Sequence, residues 1–218
     1  KPPITLPGSV NVEDIRLAEL NEEQIESFIG KSLSGFHAPK HILAELGRKS
    51  AGNPFYIEEW IASIKRRITC GENIDLYDFA IPENVLELVL SRLMNLDKQS
   101  IILLQKASAI GITFYKSILA MLDERLAPKS DIDLTMQHIC AIEFLDIINK
   151  EQDTEYGFKH SIMHKAVYNS ILKVNKKLMH KTIAEIIESE FSEPLPQWFF
   201  ALEHHYQVAT HAIGDSAN

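Results

Sequence analysis

Gly52-Asn53-Pro54-Phe55 stands directly before a segment whose apolar residues recur with helical period. Ile57, Trp60, Ile61, Ile64 and Ile68 fall on one face, with Glu58, Glu59, Lys65, Arg66 and Arg67 elsewhere, which predicts an amphipathic helix. Proline has a fixed φ and no N–H, so a helix accepts it in the first turn and rejects it further in. The start of this helix is therefore pinned.

Most of the chain carries the same period. Val12 to Leu17 reads as a short strand, and Asn21 with Gln24 three residues on is a capping box. Ile25, Phe28, Ile29 and Leu33 give the helix that follows its apolar stripe, ended by Ser34-Gly35. Pro39 suits another first turn, and Ile42, Leu43 and Leu46 carry that helix to Gly47 or a little beyond. Residues 70–81 read as a loop between two units.

Pro82 opens a second block. Val85, Leu86, Leu88, Val89, Leu93 and Met94 predict a helix closed near Asn95. Asp97 caps the next, whose apolar run Ile101 to Ile110 implies burial on most sides. A short helix follows near 115–122, and Asp131 opens a fourth with Ile132, Met136, Ile139, Cys140 and Phe144 inward. Leu145 to Ile148 and Tyr156 to Phe158 read as two strands joined by the polar turn 149–153. Helices followed by a two-stranded wing predict a winged helix over 82–160. The tail is helical over 161–173, 176–191 and 196–210, punctuated by Pro194 and Pro196. It could begin a TPR-like helical array, although a single unit demonstrates no repeat.

Composition sets the outer bounds. A chain of 218 residues with 45% hydrophobic and 24% charged residues can build one large or two smaller cores. Lys1-Pro2-Pro3 reads as a cut end, so the chain is expected to be a fragment. Cys70 and Cys140 fit neither a metal spacing nor a disulfide framework, which predicts reduced thiols in a cytoplasmic protein. No apolar run approaches the ~20 residues that span a bilayer, so no membrane is expected.

The net charge of −8 argues against nucleic acid, and its distribution argues further. From 130 to 156 the acids are Asp131, Asp133, Glu143, Asp146, Glu151, Asp153 and Glu155 against the single base Lys150, so DNA reading by the wing is not expected. From 157 to 182 the sign reverses, with Lys159, Lys165, Lys173, Lys176, Lys177 and Lys181 and no acid. That stretch reads either as solvated helices or as a face for phosphates or an acidic surface.

Gly30-Lys31-Ser32 has the ending of a phosphate-binding loop. The motif needs a glycine where Ile25 stands and a strand where a helix is predicted, so it is rejected. No acidic strand end of Walker B type is evident, and residues 1–218 alone are not expected to hydrolyse ATP. His160 and His164 could share a helix face as metal ligands, but nothing nearby completes a site. His204 and His205 are adjacent and expected to point apart; these histidines read as solvated or packed.

Several stretches, in order, carry a resemblance. They are Arg16 to Leu20, Gly52 to Glu59, Ile81 to Val85 with Ser91-Arg92-Leu93, and Ala107 to Gly111 with Phe114. Tyr156 to His160 with Ala166-Val167-Tyr168, and Leu178 to Ala184, complete the set. Over roughly 12–210 the chain resembles the lid and winged-helix regions of STAND-class NTPases, signalling relatives of AAA ATPases. The modules attached to class III adenylyl cyclases, notably eukaryotic soluble adenylyl cyclase, look most alike, and ATPase-bearing LuxR-type regulators share the layout.

That resemblance implies a mainly α chain: 1–20 the end of a P-loop core, 21–72 a helical lid, 82–160 a winged helix, and 161–218 a helical tail. It implies ATP or ADP as the nucleotide, with Mg on a core these residues lack and no tight binding to the fragment alone. Pro54, with Asn53 beside it, would lie against the adenine; the plainer reading of Asn-Pro is a helix start. His160 would contact a diphosphate at a helix N-terminus, or else pack the wing. Arg92 is a weaker candidate for a charge reaching the nucleotide, its simpler reading being a surface helix arginine.

The expected function is therefore regulatory and non-catalytic: one half of an ATP/ADP switch in signal transduction. Its expected partners are the missing core and an effector, a cyclase by resemblance alone. Two alternatives stand beside it. One is a helical scaffold that binds a protein through Trp198, Phe199, Phe200 and Tyr206. The other is part of a LuxR-type transcriptional regulator with its DNA-binding domain elsewhere.

Overall fold

The computed structural model describes residues 18–33, 38–69, 81–126, 131–190 and 196–211, apart from the side chains of 196–198 and 211. The expected strand at Val12 to Leu17 and nearly all of the loop at 70–81 lie outside these residues. The chain is mainly helical with one small antiparallel sheet, and it divides into two compact units, Lys1–Val85 and Leu86–Asn218.

Unit one is built on helices α1 (Glu22–Ser32), α2 (Lys40–Ser50) and α3 (Pro54–Thr69), which pack pairwise. Asn21 and Gln24 form the expected capping box: the Gln24 N–H donates to Asn21 Oδ1 at 2.9 Å, and the Asn21 N–H to Gln24 Oε1 at 3.0 Å. Ile25, Ile29, Leu46, Ile57, Trp60 and Ile64 are all fully buried and form the core. Each such side chain contributes about 1.5–3 kcal/mol of apolar burial. Two expectations fail at the far side of α3. Ile68 is 55% exposed, and Glu59 is buried. Lys49 ties the end of α2 to the segment after α3, donating to the Ile81 carbonyl and pairing with Glu83 at 2.9 Å.

Helix α4 (Val85–Met94) leads into unit two. Its residues Leu88, Val89 and Leu93 face inward, whereas Leu86 and Met94 are exposed. Next come α5 (Lys98–Ile110), β1 (Thr113–Tyr115), α6 (Lys116–Arg125), α7 (Ile132–Ala141), β2 (Leu145–Asn149) and β3 (Glu155–Phe158). They are followed by α8 (Ser161–Asn169), α9 (Lys173–Glu190) and α10 (Pro196–His211). Helix α5 is central and packs on α6, α7, α8, α9 and β1, as its continuous apolar run required. Asp97 and Asp131 cap α5 and α7, accepting from the N–H groups of Ser100 at 2.9 Å and Leu134 at 3.1 Å.

The sheet has three strands in the order β1-β3-β2, all antiparallel. The hairpin β2–β3 is the one expected, with Leu145 opposite Phe158 and Ile147 opposite Tyr156. Strand β1 was not anticipated. It pairs Phe114 with Tyr156, whose rings stack at 5.9 Å, and so ties the hairpin to the end of α5.

Candidate functional site

The Gly52-Asn53-Pro54 element is a rigid corner. Ala51 and Gly52 both adopt the left-handed conformation, at φ 46° and 65°. The Gly52 N–H donates to Ser50 Oγ at 3.1 Å, while its carbonyl accepts from the Leu20 N–H at 3.0 Å. A Cβ on Gly52 would stand 2.7 Å from the Leu20 nitrogen and 2.9 Å from its oxygen, so only glycine fits. Asn53 then caps α3, its Oδ1 accepting from the Phe55 N–H at 3.0 Å.

This corner leaves Pro54 exposed at the wall of a surface groove of about 480 Å³. Leu20, Phe28 and Pro54 are its apolar lining, Gln24 and Ser27 its neutral polar groups, and Glu23 and Lys31 its charges. Asn53, also exposed, is committed through its side chain to the helix cap.

The other two residues singled out belong to unit two. His160 is the N-cap of α8 and is half-buried; its side chain makes no cap bond. The helix is held instead by its carbonyl, which accepts from the N–H groups of Met163 at 3.0 Å and His164 at 3.3 Å. Arg92 is not on the surface. It is buried, with its guanidinium 4.6 Å from the centroid of the Phe144 ring. The Phe144 carbonyl accepts from the N–H of Lys159, the residue before His160, at 3.1 Å. Arg92 and the start of α8 thus share one support.

His164 does not join His160 as a ligand pair. Its Nε2 donates to the Ser108 carbonyl at 2.9 Å, and burial holds its pKa below the usual histidine range. Among the described residues no group of three His, Cys, Asp or Glu side chains could hold a metal ion.

Two buried polar arrangements had no signal in residue spacing. Lys106 of α5 and Asp123 of α6 pair at 2.6 Å with both side chains 3% exposed. His180 of α9 and His205 of α10 meet Nδ1 to Nδ1 at 2.7 Å, and His180 Nε2 lies 2.9 Å from the Tyr168 hydroxyl of α8. The ring of His204 is 5.6 Å from that of His180, so the adjacent histidines do not point apart as expected; both border His180. His205 also lines a cleft of about 360 Å³ with Phe114, Tyr115 and Glu155.

Charge is largely consumed locally on the wing. Asp131 caps α7, Asp133 pairs with Lys116, Glu143 with Lys159 at 3.3 Å, and Asp153 accepts from the Ser117 N–H and hydroxyl. No protein-family model matches the chain, and no curated protein matches it at a significant level.

Proposed function

We propose that the chain is the helical lid and winged-helix region of a STAND-type ATP/ADP switch, acting as a regulatory module in signal transduction. The observation that carries this reading is the Pro54 groove. A proline immobilised by a corner that tolerates only glycine at position 52 presents a flat apolar face, and Leu20 and Phe28 line the same groove. A purine would stack on this open apolar face, with Gln24 and Ser27 among the groove's polar groups. In this reading Mg would stay with the phosphates on the P-loop core, of which residues 1–20 would be the end.

The layout of unit two supports the winged-helix part of the proposal. Helix, strand, two helices and a hairpin follow one another, and the last strand sits in the middle of the sheet, the order a winged helix requires. In this reading nucleotide exchange shifts a two-state balance by its differential affinity, typically about 1–3 kcal/mol. The test is a longer form carrying roughly 250 upstream residues, about one to two domains. Co-purified ADP is the expected result, and an empty protein that ignores added ATP overturns the switch.

A second reading, a helical adaptor, draws on one observation. Phe199 and Phe200 of α10 are 58% and 77% exposed, and aromatic side chains of this kind anchor protein partners. A protein free of nucleotide would favour it.

A further inference from the structure

Unit two carries two surfaces of opposite sign, each with its own exposed apolar residues. The first is the outer edge of the wing. Strand β2 ends the sheet, and its Ile147 and Ile148 are 41% and 54% exposed. Ile148 lies over Gly157 of β3, where a Cβ would come within 2.7 Å of its Cδ1, so the glycine leaves room for an isoleucine on the open face. Asp146 and Glu151 flank it, and among the described residues neither has an ion-pair partner. Edge strands are normally blunted by charge, bulges or proline; β2 has Asp146 and an irregular register between Ile147 and Asn149, yet no lysine or proline before Lys150.

The second surface is the turn from α8 to α9. Leu172, Val174 and Leu178 are 71%, 76% and 51% exposed. Val174, Leu178 and Lys181 follow helical spacing on one face of α9. Lys165 of α8 and Lys173, which follows Leu172, are exposed and, among the described residues, without an ion-pair partner.

We propose that the chain associates head to tail, the wing edge of one copy seated on the α8–α9 turn of the next. Opposite charges left unneutralised on the two surfaces give the pairing its sign, and aliphatic side chains on both give it contact area. An acidic peptide or an anionic lipid surface would satisfy the lysines and leave the isoleucine edge in water. A second copy covers both at once. Because the contact joins two different patches, it generates open chains or rings rather than an isologous dimer. The inference needs no nucleotide and stands apart from the switch reading.

The experiment is sedimentation velocity of the full chain over a concentration series at about 50 mM and about 500 mM salt, where screening lengths differ roughly threefold. At low salt the mass is expected to climb past twice the 24.7 kDa monomer, with at least tenfold weaker association (order of magnitude) at high salt. The pairs Asp146→Lys with Glu151→Lys, and Lys165→Glu with Lys173→Glu, should each abolish self-association. Mixing the two reversed proteins, or combining all four changes in one chain, should restore it, a result misfolding cannot imitate. A monomer at every concentration, or no restoration, overturns the proposal. So does binding to phosphatidylserine vesicles that is lost with the lysine reversals while the wing reversals change nothing.

Discussion

His180 and His205 are hydrogen-bonded across 2.7 Å, Nδ1 to Nδ1, at the contact between α9 and α10. One ring must donate and the other accept, and burial keeps both neutral near pH 7. Tyr168 sets a consistent direction: if its hydroxyl donates to His180 Nε2, then His180 donates to His205. Burial, then the neighbouring His204 and Lys176, hold His180 down to about 4. Burial, then His180 and His204, hold His205 down to about 3.

The pH dependence follows from those directions. Both folded-state values lie below the ordinary 6.5, so under that pH the unfolded chain takes up protons that the native one refuses. Stability is full above pH 6.5 and falls as the pH drops toward 4 for His180 and toward 3 for His205, by up to about 1.4 kcal/mol per pH unit for each. Urea melts at a series of pH values check this. His205→Leu should shallow the acid limb while costing about 1–3 kcal/mol at neutral pH, because His180 loses its partner.

Gly52→Ala should destabilise unit one by about 2–4 kcal/mol, from left-handed strain plus collision with Leu20 backbone that cannot move aside. Thermal unfolding of the chain measures it. A loss under half a kilocalorie would mean that the corner is not held as described.

Pro54→Ala, by contrast, changes an exposed residue and should cost at most about 1 kcal/mol of stability. In the longer nucleotide-binding form it should weaken adenine-nucleotide affinity, read by calorimetry; unchanged affinity removes Pro54 from the site. His160→Ala should weaken ADP retention more than ATP binding, and equal effects on both would end the diphosphate role.

Arg92→Lys should cost about 1–2 kcal/mol through loss of the guanidinium over the Phe144 ring and leave nucleotide affinity unchanged. A fall in affinity without a fall in melting temperature would return Arg92 to the candidate site.

Asp123→Ala leaves the Lys106 ammonium buried and alone, and should cost about 3–5 kcal/mol in denaturant unfolding. Lys106→Met combined with Asp123→Leu should recover most of that loss.

Local chemistry was legible in the chain. Asn21, Asp97 and Asp131 announced their helices, since a cap is a bond between residues three apart and needs no partner from elsewhere. The hairpin β2–β3 and the corner before α3 were readable for the same reason, and so was Pro54 as a residue worth testing. Tertiary structure alone decided the rest. Thr113 to Tyr115 is too short to show a period and becomes a strand only because β3 offers it an edge. Helical spacing placed Ile68 on the inner face but could not say where its neighbours stop, and it could not say that Phe144 would cover Arg92. His180 and His205 lie 25 positions apart, on two helices whose register comes from packing, so no spacing rule could have joined them. A sequence determines which bonds its near neighbours can make; burial of charge and the meeting of distant rings depend on how helices pack, and that is a property of the whole fold.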